Sequence, residues 1–332
     1  MNRFGLNYFS DSREKYSISN VEIFFAFFIS IVVTTISLLL TPYLVDGDQL
    51  HYRELYRGLD GKSIVEGFVF YQSRINSVEP IYYLIAWVSS NVGLEKDVLI
   101  SVSNGFLSFL MTIYFRRIGA HYLPILMLTF LNFYTYVIFF SAERLKYSFI
   151  FILLALLFIG KIKGKFAIGI SVLTHLQSAV FWLSIGFSMA SKKFLGLAAT
   201  RKVKRKTLVW MLPTLLVLIA ILFVMMPQII RKLGYFNQGG LIDSVKILVF
   251  LILAILASRK IKEPIGLIFP IVVLSFSIGG SRLGIVAYCF FLYLSFPRTK
   301  GLDFFNFSLF VYFGFGVVEL IINTIQHGTV FK

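Results

Sequence analysis

Three polar side chains recur four residues apart just after the first apolar run of the chain: Asp48, Tyr52 and Tyr56. Side chains at this spacing share one stripe of a helix. A carboxylate beside two phenols can orient a sugar, or accept the proton of an attacking hydroxyl group. The alternative is an amphipathic helix at a membrane surface, whose tyrosines lie at the level of the lipid headgroups.

Glu79 and Arg144 each stand at the start of an apolar segment. Pro80 follows Glu79, and proline is favoured in the first turn of a helix. We therefore expect Glu79 to favour that helix through its dipole, with a role in a site as the alternative. An arginine suits paired contacts with phosphate oxygens. The alternative for Arg144 is an ion pair with Glu143 or another carboxylate.

A histidine interrupts the apolar segment 166–190, which has basic residues on both sides. A single crossing would leave a basic loop on the outer side, so we expect a broken hairpin at Thr174, His175, Gln177 and Ser178. Their polar groups can satisfy the backbone freed at the break, and broken helices at membrane depth often mark a site. His175 is therefore a candidate general base, with a packing role as the alternative.

Arg282 follows a Gly-Gly-Ser run at another expected outer helix junction. Together with Arg144 it would form an electropositive pocket for an anionic group such as a lipid diphosphate. Neither a metal nor another cofactor is expected, because the chain has one cysteine, Cys289, and its histidines are scattered. The histidines are His51, His121, His175 and His327.

Long apolar runs must position these residues. The chain is 58% hydrophobic and only 14% charged, and about 20 apolar residues suffice to span a bilayer as a helix. Runs of this length are Val21–Leu40, Leu208–Met226 and Phe304–Ile325, with shorter apolar segments at 98–115, 122–140, 241–257, 265–278 and 283–296. We predict an all-α polytopic integral membrane helix bundle of roughly 9–12 transmembrane segments, with one or two broken or re-entrant hairpins. A GT-C-like arrangement is one option.

The basic residues predict the orientation. The net charge of +16 comes from short clusters between apolar runs, and such clusters stay in the cytoplasm. The basic loop 191–206 and residues 1–20 are therefore expected inside. Residues 43–97 are expected in the periplasm, as amphipathic helices with a re-entrant segment from Glu79. We predict one transmembrane domain over 1–332, and no soluble basic region that would bind nucleic acid.

The order of these residues resembles the EpsG-like family of polytopic proteins of polysaccharide export. The resemblance covers Val45 to Phe181, with Arg282 as a looser match. One departure is Leu145 after Arg144, where the family would have glutamine. The residues that carry the resemblance are Asp48, Tyr52, Tyr56, Glu79, Pro80, Tyr82, Arg144, His175 and Ser178.

The family includes polymerases of the O-antigen (Wzy) type, so the resemblance implies a metal-independent glycosyltransferase without a cofactor. Its substrate would be oligosaccharide repeat units on undecaprenyl diphosphate, joined at the periplasmic face of a bacterial inner membrane. Membrane lipids, a chain-length regulator and a flippase would be its partners. Asp48 or His175 would be the general base, and the substrate would bind Arg144, Arg282, Tyr52, Tyr56, Glu79 and Ser178.

Three other functions remain open from the sequence. A flippase or transporter of the same lipid-linked sugar would place charged groups deep in several spans and show repeat symmetry. An acyltransferase would place its histidine in a more polar helix than the one around His175. A ligase of the O-antigen type would use the same chemistry as a polymerase, and the sequence does not separate the two.

Overall fold

The computed structural model describes residues 18–200, 240–278 and 281–331. Within these ranges the side chains of 192–200, 240–243, 276–278 and 281–282 are not part of the description. The described residues form helices and their connections, with no strand among them. The all-α prediction is therefore confirmed for these parts of the chain.

Fourteen helices are described, and they follow one another along the chain. They are α1 (Asn20–Leu40), α2 (Asp48–Leu59), α3 (Ile64–Ile75), α4 (Pro80–Asn91), α5 (Lys96–Arg117), α6 (Tyr122–Phe130), α7 (Phe133–Phe140), α8 (Glu143–Leu157), α9 (Ile162–Thr174), α10 (Gln177–Thr200), α11 (Gly240–Ser258), α12 (Lys262–Ile278), α13 (Ser281–Thr299) and α14 (Phe304–His327). They divide into two compact units, one of residues up to Ser178 and from Thr299 onward, the other of residues between Ala179 and Arg298.

Three of the described helices are long and apolar enough to cross a membrane: α1 with the turn that follows it, α5, and α14. The pair α6 and α7 becomes a fourth if it is counted as one span bent by 54°. This bend differs from the single segment expected over 122–140. The amide oxygen of Asn132 accepts the N–H of Thr135 at 3.0 Å, which starts a new helix there. The predicted run Leu208–Met226 lies outside the described residues.

Small and hydroxylated residues let α1 and α5 approach closely. A Cβ atom added to Gly105 would lie 2.9 Å from the carbonyl oxygen of Ser30. On the same face, the amide of Asn104 donates to the hydroxyl of Ser37 at 3.0 Å. Close packing of small residues and hydrogen bonds between helices are how membrane helices associate, because lipid tails are as apolar as leucine.

Basic residues gather at one end of the first unit, which we call the basic end. Arg116 pairs with Glu22 at the start of α1. Arg117 donates to the carbonyl of Leu157 at the end of α8, and the backbone carbonyl of Lys300 accepts the N–H of His121. Because α5 and α8 both finish here, their first residues lie at the opposite end of the unit.

That opposite end, which we call the site end, carries α2, α3 and α4. Arg53 connects α2 to the residues before it and to α5. Its Nε donates to the carbonyl of Leu44 at 2.8 Å, and its NH2 lies 2.8 Å from Asp97 Oδ1. The carbonyl of Gly328, after α14, accepts the N–H groups of Val45 and Asp46 at 3.0 Å. The segment 43–97, expected as amphipathic or re-entrant helices, is thus mainly helical.

The second unit is also helical in its described part. The hydroxyl groups of Ser244 and Ser275 lie 2.8 Å apart and join α11 to α12. Arg298 donates to the carbonyl of Ala257 at 2.8 Å. Residues 191–200, expected in a basic loop, instead continue α10 to Thr200, because their composition still favours a helix. The rest of that expected loop, 201–206, lies outside the described residues.

Candidate functional site

Glu79 is the centre of the site, although it immediately precedes α4. Its Oε2 accepts hydrogen bonds from Arg144 NH1 at 2.7 Å and from the hydroxyl of Ser77 at 2.8 Å. Its Oε1 lies 2.5 Å from His175 Nδ1 and accepts the N–H of Leu176 at 3.3 Å. Glu79 occupies the N-cap position of α4, but its side chain makes no cap hydrogen bond there, because these donors occupy both oxygens.

The surroundings of Glu79 keep its carboxyl group ionised. Burial by itself raises the pKa of this carboxyl, since a low dielectric disfavours charge. The hydrogen bond of His175 opposes burial, as do the charge of its protonated form, the charge of Arg144 and the hydroxyl of Ser77. These donors outweigh burial, so the pKa of Glu79 lies well below its ordinary range. Glu79 is therefore the ionised partner of Arg144 at neutral pH.

Arg144 bridges Glu79 and Tyr52. Its Nε donates to the Tyr52 hydroxyl at 3.1 Å, while NH1 contacts Glu79. The alternative that Arg144 pairs with a carboxylate is therefore confirmed, and that carboxylate is Glu79. Burial raises the pKa of the Tyr52 phenol, although the charge of Arg144 opposes it, so Tyr52 is a neutral acceptor. The Arg144 side chain keeps 19% of its surface exposed, so it is largely buried beside Glu79.

His175 lies in the predicted helix break. Helix α9 ends at Thr174, His175 is extended with φ −157° and ψ 123°, and α10 begins at Gln177. The break is confirmed. The hydroxyl of Ser178 donates to the carbonyl of His175 at 2.8 Å, so Ser178 satisfies backbone freed at the break. His175 Nε2 lies 3.1 Å from Gln177 Oε1, which orients the second ring nitrogen.

The stripe Asp48, Tyr52 and Tyr56 is part buried and part exposed. Asp48 is exposed at the first residue of α2, and its charge acts on Tyr52. Tyr52 and Tyr56 keep only 6% exposure each, so their rings pack inside the unit and do not face the surrounding lipid. Because α2 packs on α3 and α4, its tyrosine face turns into the unit. Arg282 is the second residue of α13, and its side chain is outside the described part.

A second charged cluster adjoins the first, and the sequence analysis missed it. Lys96 Nζ lies 2.7 Å from Glu143 Oε1 and donates to Gln49 Oε1 at 2.6 Å. The hydroxyl of Tyr82 donates to Glu143 Oε2 at 3.0 Å. Lys146 is fully buried one turn further along α8. The sequence did contain a sign of this cluster: Glu143 and Lys146 stand three residues apart at the start of an apolar run.

Glu79, Arg144, His175 and Tyr52 therefore form one connected group, which can orient an imidazole for proton transfer and present a guanidinium to an anion. Asp48 stands beside this group, and Tyr56 and Ser178 are buried near it. A scan against protein-family models, a search of curated proteins and a search of solved structures each found no match to this chain.

Proposed function

We propose that the protein is a polysaccharide polymerase that joins oligosaccharide repeat units carried on undecaprenyl diphosphate. One observation carries the proposal: Glu79 brings together Arg144 and His175, 65 and 96 residues away in the chain, in one buried group. A carboxylate-oriented imidazole beside a guanidinium suits a reaction that removes a proton and releases an anion. The resemblance of these residues to the EpsG-like family supports the same function.

The reaction needs one proton acceptor and one site for the leaving diphosphate. An acceptor sugar hydroxyl attacks the anomeric carbon, the new C–O bond forms there, and the bond from that carbon to the phosphate oxygen breaks. The hydroxyl proton passes to Nε2 of His175 in its neutral form, whose Nδ1–H donates to Glu79, and the Gln177 side chain gives up its contact with Nε2 to the sugar hydroxyl. The electron pair leaves with the lipid diphosphate, whose charge Arg144 stabilises. Asp48, exposed at the start of α2, is the second candidate base.

The different composition of the two ends of the first unit supports a periplasmic location of the site. Positive residues are retained in the cytoplasm, so the basic end, with Arg116 and Arg117, is the cytoplasmic one in our proposal. The site end then faces the periplasm of a bacterial inner membrane, where the repeat units would be joined. The 22 residues of α5 rise about 33 Å, enough to cross a hydrocarbon core of about 30 Å. We retain the polytopic bundle with roughly 9–12 segments as part of the proposal.

The position of the charges favours an enzyme over a transporter. Glu79 precedes α4, Arg144 lies in the first turn of α8, and His175 follows α9. The groups thus lie at the ends of helices, whereas a transporter would be expected to carry them near the middle of its spans. A ligase would use the same base and the same anion site, so the acceptor substrate separates it from a polymerase.

An assay with purified protein tests the proposal. The protein in detergent is incubated with one undecaprenyl-diphosphate-linked repeat unit, and the products are separated on a gel. We expect a ladder of lengthened chains from the wild type, and none from His175→Gln or Arg144→Lys. Glu95→Gln is the matched control, because Glu95 is exposed at the same end and makes no cap hydrogen bond. Full ladders from both site variants would refute the assignment.

A further inference from the structure

Lys146 is an unusual residue for the interior of a helical unit. Its side chain has no exposed surface, and among the residues that the structure describes its Nζ has no hydrogen-bond partner. An ammonium group without acceptors is costly to bury, because it loses its hydration without replacement. Such a group is retained more readily where a ligand supplies the acceptors.

The neighbours of Lys146 leave the cluster rich in cations. Lys146 interacts electrostatically with Glu143 and with Lys96. The carboxylate of Glu143 already receives the ammonium of Lys96 and the hydroxyl of Tyr82. Two lysines thus share one carboxylate, and only one of them is in direct contact with it.

The position of Lys146 in its helix places it beside Glu143. Residues three apart share one face of a helix and residues two apart do not, so Lys146 lies on the face of Glu143 and not on that of Arg144. The N-terminus of α8 adds the positive end of its helix dipole, and Ala142 supplies no side-chain cap there. Arg144, Lys96 and Lys146 therefore surround the start of α8 with cationic groups.

We propose that Lys146 and Lys96 bind phosphate oxygens of the lipid diphosphate, in the place that the Glu143 carboxylate occupies in this structure. This inference rests on the proposed function and extends the diphosphate site beyond Arg144. The oxygens of the incoming phosphate supply hydrogen-bond acceptors for Lys146. The Glu143 carboxylate must move away from Lys96 to make room for the phosphate. Charge-assisted hydrogen bonds between ammonium groups and phosphate oxygens are among the stronger polar contacts in proteins.

Binding of undecaprenyl diphosphate and of inorganic diphosphate to the purified protein in detergent tests the inference. Lys146→Met removes the charge and keeps a similar shape. It should bind undecaprenyl diphosphate at least about ten-fold more weakly, as expected for the loss of one charge-assisted hydrogen bond. Lys163→Met is the matched control, because Lys163 is exposed in the first turn of α9 at the basic end; it should bind like the wild type.

The melting temperature without ligand gives an independent readout. Lys146→Met should melt at or above the wild-type temperature, because it removes a buried charge without acceptors. A lower melting temperature would overturn the inference, since Lys146 would then have an acceptor within the protein. Equal binding of undecaprenyl diphosphate by Lys146→Met and the wild type would also overturn it. This holds even if Lys146→Met binds inorganic diphosphate more weakly than the wild type. Lys146-dependent lipid binding without chain growth would refute the polymerase and leave this binding site standing.

Discussion

The Nδ1 atom of His175 lies 2.5 Å from Oε1 of Glu79, across 96 residues of sequence. Each residue stands beside a helix end, His175 after α9 and Glu79 before α4. The contact therefore ties two ends of separate helices to each other. Because Arg144 meets the other oxygen of the same carboxylate, removal of Glu79 would affect both partners together.

Glu79 and Arg144 should show strong energetic coupling. Glu79→Gln leaves the buried guanidinium of Arg144 without its counter-charge and should lower the free energy of unfolding by about 3 kcal/mol. Arg144→Met leaves the carboxylate with His175 and should also destabilise the protein. The double variant should be more stable than the sum of the single effects predicts, by about 1 kcal/mol or more. Chemical unfolding in detergent measures the cycle, and strict additivity would contradict a direct ion pair.

The stability contributed by Glu79 should depend on pH in one direction. The pKa of Glu79 in the folded protein lies below its ordinary value of 4.5. As the pH falls below 4.5, the unfolded chain takes up a proton that the folded protein still excludes, so stability is lost. The difference in melting temperature between the wild type and Glu79→Gln should stay constant from neutral pH to about 5 and shrink below it. A difference that grows on acidification would contradict this ionised state.

The close approach of α1 and α5 predicts different effects for two glycines. Gly105→Val should destabilise the protein by about 1–3 kcal/mol, because the added atoms collide with Ser30 and Thr34. Gly169→Val is the matched control, since a Cβ atom there meets nothing within 4 Å. Both changes replace a helical glycine with valine, so the effect of helix propensity on the free energy of unfolding is the same in the two variants. Unfolding in detergent measures both, and equal stability would contradict the packing of α1 on α5.

The two ends of the first unit should differ in their access to a membrane-impermeant thiol reagent. With Cys289 replaced by serine, Asp46→Cys at the site end should react on intact cells. Lys163→Cys should react only after permeabilisation, because the basic end is expected in the cytoplasm. Both residues are exposed, so access to the reagent depends on the side of the membrane. The reverse labelling pattern would contradict a periplasmic site.

The helices themselves were largely predictable from the sequence. Residues 20–40 and 304–327 form helices where long apolar runs predicted them, because length and hydropathy are properties of a local segment. The break at His175 was also predictable, since polar residues interrupt an apolar run there. The bend at Asn132 was not predicted, because one side-chain cap decides it.

The sequence by itself determined the helical class, the apolar segments and the types of residue available for chemistry. Only the tertiary structure decided that Arg144 pairs with Glu79 and not with its neighbour Glu143, which binds Lys96 instead. The physical reason is that opposite charges can pair in several ways with similar local cost, and the helix packing selects one set. For the same reason Lys146 emerged as a buried amine, without an acceptor among the described residues, only when the neighbours of α8 were in place.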